Sequence, residues 1–304
     1  MKKNFGFMMA VAVLVVALSS SGSVFACTVE GDFNTPGSYA CAAGDLWTLL
    51  GDTGGGIFVP TLPSPLPPYT LQTKFENYAE GDLLLITGRN GFRALYSVGE
   101  VNPSYGPTDA VTITLDKHGL YDLAGKGRAV EDVADIDLVH AVNVVKGQSL
   151  HFHSTRLVVS GEGIVPQTYD LANLQEMDQV TYTDTSATPN TVITGPTLLS
   201  VLKASGVDTT DMNSYVVVSA TDAYVTVLSM YEVTHETGTQ YDMLAISASD
   251  GSINGTTSSD NGFARLVLPG DNSGAHGRWV SNADEIVVYR LWPKVTCLIP
   301  PMAR

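Results

Sequence analysis

The sequence predicts an α+β fold made of two tandem mixed-sheet modules. Three observations carry that expectation. The chain matches itself at a fixed offset. Strand-like and short helix-like segments alternate within each copy. The composition is that of an ordered, β-rich chain, 44% hydrophobic against 15% charged.

The self-match fixes the architecture and is read first. Leu83–Val101 reads LLLITGRNGFRALYSVGEV, and Tyr215–Val233 reads YVVVSATDAYVTVLSMYEV. One offset of 132 sets Phe92 on Tyr224, Ser97 on Ser229 and Glu100 on Glu232, and it continues to Gly119 on Gly251. Upstream, Leu46–Leu50 falls on Leu198–Leu202 at offset 152. Downstream, GRAVEDVADI (Gly127–Ile136) falls on GRWVSNADEI (Gly277–Ile286) at offset 150. The first copy therefore carries extra residues early and the second carries extra residues late. The early insertion contains VPTLPSPLPPYT, Val59–Thr70. Its prolines exclude a helix or a central strand and leave a stiff extended loop. The late one is GSINGTTSSDNGFARLVLPGDNSG, a Gly/Asn/Ser loop around a strand-like Ala264–Leu268. The expected division is 1–26, then a first module at 27–149 and a second at 150–304.

Residues 1–26 have the order of a secretory signal peptide. Lys2 and Lys3 precede an apolar run, Phe5–Leu18, and a polar stretch ends in Val24-Phe25-Ala26. The run is shorter than the roughly 20 residues a spanning helix needs, and no later segment is apolar enough to cross a membrane. Cleavage after Ala26 would send the chain to the periplasm or outside the cell. Cys27 at that point also suits a lipid anchor. Removing the two lysines takes the formal charge from −15 to −17. Such an acidic chain does not bind nucleic acid or anionic membrane through charge. The cysteines are Cys27, Cys41 and Cys297. A lipidated Cys27 leaves Cys41 to pair with Cys297. Otherwise Cys27–Cys41 closes a short loop and Cys297 is left over.

Each module opens on a short helix. Leu198, Leu199, Val201 and Leu202 share a helical face, with Pro196 before it and Gly206 past its end. Two strands follow, joined by turns at Arg89-Asn90-Gly91 and Thr221-Asp222-Ala223. Ser97/Glu100 and Ser229/Glu232 then have capping-box spacing, which satisfies free N–H groups at a helix start. The same spacing makes Ser97, Ser229 and Glu232 look like a nucleophile and acid, but capping is the simpler reading. Strands at Thr112–Leu115 and Leu244–Ser247 come next, and each copy closes on a strand, Ile136–Val145 and Ile286–Leu291.

HFHSTR, His151–Arg156, lies at the junction of the copies. Lys146-Gly147-Gln148-Ser149 reads as a turn, which would pair Val145 with Leu150 in a hairpin. His140, His151 and His153 would then share one face, with His140 and His153 diagonal neighbours. Two such histidines can hold Zn or Cu given a third ligand. Asp135, Asp137 and His118 are possible third ligands. The alternative is a solvated hairpin face. His235-Glu236 sits in a polar loop, THETGTQ, and Asn254-Gly255-Thr256 fits a glycosylation acceptor. There is no Gly-x-Ser-x-Gly, no Walker loop and no haem Cys-x-x-Cys-His.

The second copy resembles the molybdopterin-binding domain of the sulfite oxidase family. The likeness begins at LVVSGEGIVPQTYDLANLQEM and continues through GPTLLSVLKASGV. It ends on GFARLVLPGDNSGAHGRWVSNADEIVVYR. It covers Leu157–Leu291, while the first copy lacks an RLVLPGD run. The resemblance implies that Arg265, His276 and Arg278 contact the pyranopterin phosphate. Gly-rich turns expose N–H groups, and Arg forks onto phosphate oxygens. Ser281 stands where the family usually has lysine. The family's molybdenum takes a protein thiolate, yet Ala42–Thr296 contains no cysteine. The expected function is thus a non-catalytic exported relative that binds a small anionic ligand or another exported protein. The alternatives are an active molybdopterin-dependent oxidoreductase and a His-based Zn or Cu protein.

Overall fold

The computed structural model describes residues 27–31, 37–39, 44–46, 82–140 without 104, 106–109 and 119, 153–222, 224–235, 241–255, 261–271 and 276–291. The signal segment, the proline-rich 59–70 insertion, His151, Cys41 and Cys297 lie outside them.

The chain is mixed α+β, mostly strands with a few short helices. The first half contains β1 (Cys27–Gly31), β2 (Gly37–Tyr39), β3 (Gly44–Asp45), β4 (Asp82–Gly88) and β5 (Arg93–Ser97). Helix α1 (Val98–Val101) follows, then β6 (Thr112–Leu115), β7 (Tyr121–Gly125), β8 (Arg128–Val130) and β9 (Val133–His140). The second half begins with β10 (Leu157–Gly161), β11 (Ile164–Tyr169), α2 (Leu171–Gln175), β12 (Gln179–Asp184), β13 (Thr191–Pro196) and α3 (Leu198–Ala204). It goes on with β14 (Ser214–Ala220), β15 (Val225–Ser229), α4 (Met230–Thr234), β16 (Met243–Ala245) and β17 (Ser247–Ala248). It closes with β18 (Arg265–Val267), a 3-10 turn at His276–Arg278, and β19 (Ala283–Arg290).

Two five-stranded sheets dominate, ordered β2-β1-β9-β4-β5 and β11-β10-β19-β14-β15. Their registers correspond pair by pair. Leu83 faces Ser97 and Val139, and Tyr215, 132 positions on, faces Ser229 and Tyr289. β1 runs parallel to β9, and β10 runs parallel to β19. Smaller sheets, β3-β6-β7-β8, β12-β13-β17 and β16-β18, complete the layers.

The runs LLLI and YVVV are explained by burial on both faces of their strands. Side chains alternate across a strand. Leu84 and Ile86 therefore enter the first half's core with Tyr96 and Ile136. Val216 and Val218 enter the second half's core with Leu228 and Ile286. The opposite faces meet each other: Leu83, Leu85 and Leu95 pack with Tyr215, Val217 and Val227 in one cluster. The helix starts are capped as expected. Ser97 forms a full capping box with Glu100, whereas Ser229 accepts from the Glu232 N–H while the Glu232 carboxylate turns elsewhere. Thr197 caps α3, and Gly206, at φ 79°, follows its end.

The junction hairpin is a correction. Among the described residues β9 pairs with β1 and β4, and β10 pairs with β11 and β19. Both edges of β10 are thus taken by its own half, so β9 and β10 are not partners. His153–Arg156 are not strand, because β10 starts at Leu157. Alternation therefore does not set His153 on the face of His140. Among the described residues no helix is long and apolar enough to cross a membrane.

Candidate functional site

The loop region from β18 to β19 carries Arg265, His276 and Arg278, and the structure divides them. Arg265 and His276 converge on Trp279. The His276 ring stacks on the indole at 3.8 Å between centroids and 22° between planes. The Arg265 guanidinium lies 5.0 Å from the same ring, a cation–π distance. Tyr182, on β12, meets Trp279 edge-on at 6.3 Å. The indole N–H donates to the Leu268 carbonyl, which fixes the platform.

Asp184 is buried, and its Oδ1 accepts from the Ser186 N–H at 2.9 Å and the Ser186 hydroxyl at 2.7 Å. Its Oδ2 lies 3.2 Å from His276 Nε2. Ser186 Oγ is 3.4 Å from that same nitrogen. A Ser-His-Asp relay needs the two partners on opposite ring nitrogens, so this trio does not relay protons. Burial lowers the His276 pKa, with Asp184 opposing and Arg265 assisting. Burial also lowers the Arg265 pKa, against the pull of Asp184 and Asp250. Neither carboxylate forms an ion pair with Arg265, and its buried Nε has no hydrogen-bond partner among the described residues. A buried donor without an acceptor costs about 1–3 kcal/mol.

Arg278, expected beside them, faces the other way and is buried. Its Nη2 and Nε fork onto Asp271 at 2.6 and 3.2 Å, and its Nη1 donates to Glu232 at 2.7 Å. Burial opposes its charge, but Glu232 and Asp271 together outweigh that and raise its pKa. It is a structural cation, unavailable to a ligand. Ser281 donates to Asn261 at 2.6 Å and likewise contributes no charge.

No family model matches this chain. No curated protein matches it. Among solved structures it is similar to the sulfane dehydrogenase SoxCD from Paracoccus pantotrophus, at 17% identity and a TM-score of 0.35. The match covers 78% of this chain and 56% of that one, so the chain spans little more than half of that relative's length. A superposition of that score places no residue of this chain on one of that enzyme's.

Of the set the molybdopterin resemblance implies, Arg265 and His276 lie together on Trp279. The thiolate part is missing, since Ala42–Thr296 holds no cysteine, and soft metals select such ligands. The residues present do not fit a protein-ligated molybdenum. Of the histidine set, His151 and the His140 side chain lie outside what the structure describes. His153 has a buried Nδ1 without a partner among the described residues, His118 is exposed on the β6–β7 turn, and Asp137 is buried in β9. Among the described residues no group of three His, Cys, Asp or Glu side chains is placed to hold a metal ion. His235 stacks on Tyr231 at 3.8 Å and 3°.

The contacts that sequence reasoning missed lie between the halves. Ser97 Oγ donates to Glu232 at 2.9 Å, and Ser229 Oγ donates to Glu100 at 3.2 Å. Glu100 pairs with Arg128, as Glu232 pairs with Arg278. Arg128 also lies 3.7 Å from the Tyr96 ring and 4.4 Å from that of Tyr231. The repeat held the signal. Offsets of 132 and 150 bring Ser on Ser, Glu on Glu and Arg on Arg, and polar residues kept in both copies make the lock reciprocal.

Proposed function

We propose that the protein is an exported, non-catalytic binding protein made of two tandem copies of a sulfite oxidase-type molybdopterin-domain fold. Its second copy takes a small anion at Arg265 and His276. The matching sheet orders and registers support the tandem reading. One observation carries the ligand class: a partly buried guanidinium on an indole platform, its Nε unpartnered among the described residues, with a histidine stacked alongside. A planar cation with free donors selects a phosphate- or carboxylate-type oxyanion. An exported protein partner bearing such a group would reach the same site.

Calorimetry with inorganic phosphate tests this. The wild-type chain should bind, and Arg265→Ala should weaken binding at least tenfold, the loss of about 1.4 kcal/mol. Phosphate binding equal in both proteins, or absent from both, would refute the assignment.

A further inference from the structure

We propose that the N-terminal half is a built-in brace that holds the second half's His276–Arg278 turn in its binding conformation. The inference rests on the Arg265–His276 reading and extends it to residues remote from the ligand. The His276–Arg278 turn carries His276 and leads straight into Trp279. The Arg278 guanidinium forks onto Asp271. The same guanidinium holds Glu232, and Glu232 accepts from Ser97 of the first half. Ser97 is itself fixed as the N-cap of α1.

The stem of Arg278 lies against Gly99, where a Cβ would overlap its Cδ. Tyr105, just beyond α1, sits 5.8 Å from the guanidinium and presses on Gly277. From its own half the turn is held through main-chain oxygens. Tyr224 donates to the Gly277 carbonyl and Thr226 donates to that of Arg278. The first half therefore fixes the side chain, and the second fixes the backbone.

Two consequences favour anion binding. Arg278 is kept away from the ligand, so the His276–Arg278 turn keeps one shape. Asp271 is also kept neutralised. That matters because its charge reaches the site: Asp271 acts on the Tyr182 hydroxyl, which burial, Asp184 and Asp271 together push up. Releasing Arg278 would leave Asp271 without its compensating cation. Ser97, Gly99 and Tyr105 are positioning residues for a site they do not touch.

Gly99→Ala in the full-length chain is the test. It removes no hydrogen bond, and alanine favours a helix over glycine. Its effect on the turn comes from displacing Arg278. Two readouts are needed, phosphate affinity and amide exchange at Trp279 and Val280, whose N–H groups bond to the His276 and Leu266 carbonyls. We expect faster exchange at those amides and phosphate affinity down roughly tenfold, an ordinary coupling between linked sites. Ser97→Thr, which keeps the hydroxyl, should match wild type. Unchanged exchange and affinity in Gly99→Ala would overturn the brace. Faster exchange with no phosphate binding even in wild type would support the brace and sink the anion reading instead. Should Gly99→Ala fail to fold, Ser97→Ala asks the same question by removing the donor to Glu232.

Discussion

Arg278→Ala isolates the energetics of the interface between the two halves. The side chain is 5% exposed, and its partner Asp271 is 4% exposed. Removing the arginine leaves Asp271 without its forked partner in a site closed to water. Glu232 suffers less, because the Ser97 hydroxyl still donates to it. Breaking a buried ion pair from one side costs about 3–5 kcal/mol, since the surviving charge keeps its desolvation penalty. That is several times the worth of an exposed pair.

Urea unfolding at neutral pH should show this loss as a lower midpoint with an unchanged slope. The pH dependence supplies a second check. Burial raises the Asp271 pKa even with Arg278 opposing. Without Arg278 it should rise further. A carboxyl whose folded pKa exceeds its unfolded value gives stability that is complete below the unfolded pKa and is lost as pH rises through the folded one. The deficit of the variant should therefore be largest near neutrality and shrink on acidification. Replacing Arg278, Asp271 and Glu232 together by hydrophobic residues of similar volume should recover most of the stability. A single Arg278→Ala variant within about 1 kcal/mol of wild type at neutral pH would refute the reasoning, being the size of a surface-pair effect.

Other outcomes follow from the same geometry. Arg89→Ala breaks only the exposed Arg89–Asp132 pair, so its unfolding midpoint should shift by less than about 1 kcal/mol. Leu85→Ala opens a cavity where the two sheets meet and should cost about 2–5 kcal/mol in thermal or urea unfolding. Phosphate affinity should strengthen as pH falls through the lowered His276 pKa, because protonation adds a positive charge beside Arg265 and Asp184. His276→Asn should flatten that profile in calorimetry at several pH values. Elemental analysis of protein purified without chelator or immobilised nickel should find no stoichiometric molybdenum, zinc or copper.

Much of the fold was legible because a sequence pattern recurs along the chain. The LLLI and YVVV strands, the caps at Ser97 and Ser229, and the turn before Phe92 recur at one offset. Local rules of alternation and capping are enough to read them. The failures share one cause, the choice of a distant partner. Lys146–Ser149 looks like a hairpin turn, yet β10 takes β11 and β19 instead. No local signal encodes that parallel pairing. Ser97 and Glu100 are three apart, and that spacing specifies a cap. It does not reveal that the Ser97 hydroxyl also crosses to Glu232. Arg265 and Arg278 are the same residue type in one Gly-rich stretch. Only packing shows that one meets two carboxylates and the other an aromatic ring.

The reciprocal Ser–Glu exchange between the halves has a consequence for inheritance. Between two identical subunits, every substitution at such a face is made twice at once, and a one-sided experiment is impossible. Within a single chain each half mutates alone. The two couples differ in this chain: Arg278 also holds Asp271, in a run with no counterpart in the first half, while Arg128 lies on two tyrosines. Among descendants, positions 97 and 232 should therefore drift as one couple, and 100 and 229 as another. Each couple would answer to its own partner and no longer to its twin.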